Sequence, residues 1–432
     1  MFKKNSLACA VILAAASQGT VASEMSDFLT GGSFNMELKT VGIDRDRDNH
    51  PALGDEAGLA QGVRLMYTTG KLFDRISLSA NYYQSIKIHG QSGKGKTLDL
   101  LEINEDGDQD SYQKLGISAR FHFNEKSFIQ AGRSMINYPL LNDNNAYTTP
   151  GLTEAVNAEW GFGKGRVYGA YITGGNHRNK SDFVDYGLDG EKKPISLAGF
   201  DYNFGASGSR IEASAGQQDD YSNNYWLRGV ITRQLDGVKL ALDNRYFGKK
   251  LTGKTQDKVK EGGDDYSWFA SSMLTAQYGD YTLSYSFQTV SDAEGFREAL
   301  KGTFYKNGWH RWAGGDDFTK WGGSNHIYSM SFDKNDMDSH SLKFGHNLRA
   351  YVPGLSYFIR HTQGDWKDYN NNNKTLTDKA TDLNINYAVQ NPALKGLAAN
   401  LVIQNNEEEK AKGGTQTMLD TRLTIVYRKS FY

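Results

Sequence analysis

Residues 281–288 read Tyr-Thr-Leu-Ser-Tyr-Ser-Phe-Gln, apolar or aromatic at every odd position and polar at every even one. The same period returns at 382–389, where Asp382, Asn384 and Asn386 alternate with Leu383, Ile385 and Tyr387. It returns again at 114–121, where Lys114, Gly116, Ser118 and Arg120 alternate with Leu115, Ile117, Ala119 and Phe121. An extended chain sends successive side chains to opposite faces, so each segment has one oily and one wet side. A chain patterned this way from end to end is all-β.

The links between these segments come in two kinds. Short ones rich in Gly, Asn and Asp fall at 70–75, 123–127, 161–165, 205–209, 234–237, 278–280, 352–354 and 390–396. Longer polar ones fall between them at 44–58, 89–111, 137–152, 175–193, 217–223, 248–264, 291–340, 364–380 and 406–416. Eight short and nine long links make seventeen, hence eighteen strands with both termini on the short-turn side. An even strand number with short turns at one rim and long loops at the other is the pattern of a transmembrane antiparallel β-barrel, with short periplasmic turns and long extracellular loops.

Composition removes the competitors. No apolar run approaches the roughly 18 residues of a membrane-spanning helix. A mean hydropathy of −0.62 suits a soluble protein, but alternating strands escape hydropathy averaging. Lys+Arg 49 against Asp+Glu 50 gives no basic excess for nucleic acid. A single cysteine excludes a disulfide scaffold. In a soluble sandwich the oily faces would meet another sheet. Here the opposite faces, rich in Asn, Gln, Ser, Thr and charge, are too polar for a packed core. The oily faces carry Tyr67, Trp160, Phe204, Trp268, Tyr278, Tyr281, Tyr357 and Tyr427 near their ends, where interface girdles stand.

Residues 1–22 read as a secretory signal peptide: Lys3 and Lys4, an apolar stretch Leu7–Ala16 too short to span, then small residues around Val21-Ala22-Ser23. The barrel is expected over 23–432, in the outer membrane of a Gram-negative bacterium.

Several strings, in order, resemble the OprD-type outer-membrane porin family, which includes chitoporins. Residues 58–70 (GLAQGVRLMYTTG) resemble its second strand and turn. Tyr138 to Gly151 followed by Thr153–Ala158 resembles its third loop and sixth strand. Val352-Pro353-Gly354-Leu355 followed by Arg360 resembles its "VPGL…R" turn and strand, and 420–427 its last strand. The resemblance covers essentially the whole chain beyond the leader. It implies facilitated diffusion of small hydrophilic solutes, with loops folded into the pore and a ladder of basic side chains guiding carboxylates past a constriction.

The residues of that ladder are expected to be Lys39, Arg64, Lys114, Arg120, Arg349, Arg360 and Arg422, with Glu37, Asp243, Asp382 and Asp420 among the acids of the same wall. The alternative is that these charges pair across strands and only solvate the lumen. Tyr138, Asn142, Asp143 and Tyr147 of loop 137–152 are the expected constriction. The long link 291–340 carries Trp309, Trp312 and Trp321, whose flat faces suit sugar rings or else pack the loop against the rim. Two solute classes therefore stay open, carboxylate-bearing nutrients and short amino-sugar oligosaccharides. The acidic runs Asp44–Asn49 and Glu105–Asp110 lack the Gly and Glu positions of an EF-hand and read as solvated loops. No nucleophile elbow, zinc-protease or P-loop motif is present, so no enzyme, cofactor or metal is expected. Expected partners are outer-membrane lipid and lipopolysaccharide, the solutes, and the barrel assembly machinery during insertion, with a monomer or a trimer as the assembly. The rival reading is a non-conducting surface barrel acting as adhesin or hydrolase.

Overall fold

The computed structural model describes residues 19–49, 54–91, 95–105, 107–143, 145–188, 191–205, 208–259, 261–293, 296, 324–325, 329–368, 374–410 and 413–431. Its long strands are β1 (Ser33–Asp48), β2 (Glu56–Thr68), β3 (Ile76–Gly90), β4 (Ser111–Asn124), β5 (Ser127–Ser134), β6 (Leu152–Phe162), β7 (Gly165–Asn176), β8 (Ile195–Phe204) and β9 (Ser209–Gln218). They continue as β10 (Ser222–Leu235), β11 (Val238–Leu251), β12 (Tyr266–Tyr278), β13 (Tyr281–Val290), β14 (Asp338–Asn347), β15 (Leu355–Asp368), β16 (Lys374–Ala388), β17 (Leu397–Glu409) and β18 (Thr415–Ser430). Each pairs antiparallel with its neighbours in sequence. β1 also pairs with β18 from Asn35↔Ser430 to Asp48↔Thr417, which closes an eighteen-stranded barrel. Closure leaves no sheet edge, so every strand finds backbone partners within the wall, which lipid cannot offer. Among the described residues no helix is long and apolar enough to cross a membrane.

The alternation sorts side chains as the sequence suggests. Leu283, Tyr285, Leu342, Ile359, Leu423 and Ile425 stand exposed on the outer surface. Aromatic rings gather at its short-turn edge, including Phe123–Trp160 with centroids 5.8 Å apart and Phe34–Phe431 at 5.2 Å.

Two expectations are corrected. First, the strands run further than the oily alternation does. β1 and β18 have 16 residues each, whereas about 10 cross a membrane. The link expected at 364–380 shrinks to 369–373, with Asp365↔Thr377 and Trp366↔Leu376 still paired. Beyond the membrane the outer face meets water, so the oily period vanishes while the hydrogen-bond ladder continues. The run Asp44–Asp48 belongs to β1, with Arg45 and Arg47 turned inward and the aspartates outward.

Second, the long-loop half of the lumen is not polar throughout. Inward-facing Ile172, Ile195, Leu197, Trp226, Phe247, Phe269 and Val290 form one apolar cluster with the loop residues Leu140, Leu141, Phe296, Phe332 and Met337. Long links fold inside the barrel and bury this surface.

Helix α1 (Gly19–Thr30) precedes the barrel at the short-turn rim. Phe28 is buried, its carbonyl accepts from the Gly70 N–H at 2.8 Å, and the Tyr67 hydroxyl donates to the Leu29 carbonyl.

Candidate functional site

The link 135–151 lies against the inner wall of β1–β4. Gly62 of β2 allows the approach: a Cβ at that position would stand 2.3 Å from the Thr148 carbonyl oxygen. Arg64 donates to the carbonyls of Thr148 at 2.9 Å and Tyr147 at 2.7 Å, and also to the Asn145 side chain. Lys39 donates to the Asn145 carbonyl. Lys114 donates to the carbonyls of Pro150 and His177 at 2.8 Å and Arg178 at 3.0 Å. A loop buried in a lumen has backbone carbonyls that lose water, and charge-assisted donors satisfy them. These three cations of the expected ladder are therefore buried, with donors turned to backbone carbonyls of the link 135–151 and, for Lys114, also to those of His177 and Arg178.

Within the loop, the Asp143 carboxylate accepts from the Ile136 N–H at 2.8 Å and from the Thr153 hydroxyl at 2.9 Å, tying both ends together. The Tyr138 ring stacks on Tyr168 of β7 with centroids 4.3 Å apart and an interplanar angle of 4°. Its hydroxyl donates to Glu159 at 3.1 Å and accepts from Asn157 at 3.0 Å. Burial, with the Glu159 carboxylate beside it, holds the Tyr138 phenol protonated above its ordinary range. Tyr147 faces the Arg178 guanidinium at 3.9 Å from its ring centroid. Asn142 is exposed at the loop surface.

The wall away from this loop has a repeated arrangement in which one carboxylate stands between two bases. Asp420 accepts from Arg45 at 2.7 Å and Arg422 at 2.6 Å. Asp243 accepts from Arg228 and Arg245, both at 2.7 Å. Glu37 is 2.9 Å from Arg64 and 2.6 Å from Arg428. Asp382 accepts from Arg360 at 2.8 Å, and Lys343 is the register neighbour of Arg360 on β14. The Asp243 group extends through Arg228 to Glu212 at 3.6 Å, which also meets Arg210 at 3.2 Å, so three bases share two acids there and each group keeps one surplus positive charge. The carboxylate fixes the orientation of the planar guanidinium fork on the inner wall. Opposite in sign is Arg166, shared by Glu159 at 2.9 Å and Asp201 at 2.6 Å, one base with two acids.

The other expected residues are placed as follows. Arg120 faces inward, donates to Gln130 at 2.9 Å and covers the Phe128 ring at 4.0 Å. Arg349 lies in the short turn 348–354 rather than on a strand, paired with Asp280 at 2.7 Å. Pro353 and Gly354 make the chain turn early, so the alternation of β14 does not reach Arg349. Trp309, Trp312 and Trp321 lie outside the described residues. Arg45 and Arg166 were missed because each sits next to a segment that reads as a loop. Counting alternation through Asp44–Asp48, or back from Val167, points both inward.

Among curated proteins none matches the chain by sequence. The family model for outer membrane porins of the OprD family matches residues 26–431. Among solved structures, OpdK of Pseudomonas aeruginosa, determined with vanillate, is 18% identical with a TM-score of 0.75, covering 94% of this chain and 100% of its own. A BenF-like porin from Pseudomonas fluorescens is 19% identical with a TM-score of 0.76, covering 94% of this chain and 100% of its own. These proteins are channels rather than enzymes. The chain belongs to the OprD family of porins, substrate-specific channels for small molecules in the outer membrane of Gram-negative bacteria.

Proposed function

We propose that this channel passes small carboxylate-bearing solutes by passive diffusion. The observation that carries the reading is the repeated placement of one carboxylate between two bases on the inner wall, at Asp420, Asp243 and Glu37, with Arg360–Asp382 beside Lys343. In a narrow, low-dielectric pore a surplus of one sign concentrates the opposite ion. Arg422 and Arg360, held by Asp420 and Asp382, keep their geometry and set a fixed positive charge on the inner wall toward which a solute carboxylate is drawn. Several such sites, each of modest strength, let the solute enter and still leave. That OpdK was determined with vanillate, a carboxylate, agrees with the class. The amino-sugar reading rests on Trp309, Trp312 and Trp321, outside the described residues, and no observed contact favours it. Export by a leader at residues 1–22 and contact of the outer surface with lipopolysaccharide belong to the same proposal.

The test is uptake into liposomes of paired solutes that differ only in charge, such as benzoate and benzamide. Faster entry of the carboxylate, lost in an Arg360→Gln/Arg422→Gln double variant, supports the reading. Equal entry of both solutes through the native channel contradicts it.

A further inference from the structure

A cavity of about 350 Å³ opens into the lumen at the short-turn rim, between β12 and β15. Gln277, Thr282, Lys343, Gly345, Phe358 and the rim residue Arg349 line it. It lies beside the short turns 279–280 and 348–354, at the end where a solute leaves for the periplasm.

Three features give the cavity a chemistry. Phe358 is an inward-facing aromatic ring in a polar stretch of wall. Inward-facing Phe247 and Phe269 are sealed under the loop core, at 2% and 0% exposure, whereas Phe358 stays half-open to this cavity. Apolar surface left in water costs free energy, roughly 25 cal/mol per Å². Beside the ring stand two cations, the Lys343 ammonium 5.4 Å and the Arg360 guanidinium 5.8 Å from its centroid. Arg360 is already held by Asp382 at 2.8 Å. Among the described residues Lys343 has no carboxylate within ion-pair distance. Lastly, Gly345 keeps the floor low. A Cβ there would meet Phe358 Cβ at 3.6 Å and Thr282 Cβ at 3.7 Å, ordinary contact, so a larger side chain would occupy the space a ligand needs.

We propose that this cavity is an exit-side binding site for aromatic monocarboxylates, the ring lying against Phe358 and the carboxylate meeting Lys343. The inference rests on the carboxylate reading above and narrows it to planar, aromatic acids. The site holds the solute at the short-turn end of the lumen before release. Arg349, paired with Asp280 across the rim at 2.7 Å, forms its outer lip.

The experiment is single-channel recording of the full mature protein in a planar bilayer, with benzoate added on the short-turn side. The native channel shows current interruptions by benzoate that are longer than those by acetate and absent with benzamide. Interruptions shorten at least about fivefold in Phe358→Ala and in Lys343→Gln, the size expected from losing one ring or one charge contact. Gly345→Leu, which fills the floor without touching a charge, removes them. Potassium chloride conductance checks that each variant is an open channel. Unchanged benzoate interruptions in Phe358→Ala and Gly345→Leu overturn the site. If benzoate still enters faster than benzamide in those variants, the carboxylate reading survives that result. A native channel with no benzoate interruptions, or with equal ones for acetate, also overturns the site.

Discussion

Arg45 on the first strand donates to Asp420 on the last at 2.7 Å, so the seam that closes the barrel is crossed inside the lumen by a member of the basic wall. Asp420 is fully buried and also holds Arg422, with contacts at 2.6 and 3.0 Å. One carboxylate thus joins the two ends of the chain and orients two guanidinium groups toward the pore.

Asp420→Asn should therefore destabilise the barrel and disorder the wall together. The substitution leaves two largely buried cations without their counter-charge, a change that costs about 3 kcal/mol in comparable buried pairs. Urea unfolding of the barrel in detergent, followed by heat-modifiable migration, should show that loss. A barrel as stable as the native one would mean the seam does not depend on this pair.

The link 135–151 is held by Arg64, and Gly62 makes room for it. Gly62→Ala puts a Cβ 2.3 Å from the Thr148 carbonyl oxygen, so the loop must lift. Arg64→Gln removes donors to Thr148 and Tyr147 and one partner of Glu37. Both variants should raise single-channel conductance and current noise as the link loosens. Conductance equal to the native value in both would show that the loop does not set the pore width.

Outside the membrane, Lys193 bridges Asp220 at 2.8 Å and Glu191 at 3.2 Å, and Lys254 reaches Glu191 at 3.4 Å. The hydrogen bond from Lys193 holds the carboxyls of Asp220 and Glu191 below their ordinary range. A lowered carboxyl contributes to order above its unfolded pKa, about 4, and loses that contribution as pH falls through the lowered value. Limited proteolysis of the link 177–194 should be slow at pH 7 and faster near pH 3. The same rate at both values would show that these surface pairs do not order the link.

Much of this was legible in the sequence, for a definite physical reason. A lipid-facing wall demands an apolar residue at every second position, so segments such as 281–288 and 382–389 announce both strand and facing. The inward direction of Arg360, Arg422 and Asp382 followed from that parity alone. Illegible were the places where lipid does not act. Above the membrane, Asp44–Asp48 and Asp365–Asp368 remain strand although they look like loop. Inside the lumen, Ile172, Leu197 and Phe247 are apolar on the wet side because links fold back onto them, and periodicity does not say where a long link goes. For the same reason nothing in the pattern separated Lys39 and Lys114, turned to loop carbonyls, from Arg422, which faces the pore.

The central claim is that the wall keeps a surplus of positive charge because Asp420, Asp243 and Glu37 each stand between two bases, outweighing the one base that Glu159 and Asp201 share. It is tested most directly by the zero-current potential across a bilayer holding the channel in a potassium chloride gradient. The native channel should prefer chloride, and the preference should fall clearly in Arg360→Gln/Arg422→Gln. A cation-preferring native channel, or an unchanged potential in the double variant, would contradict the account.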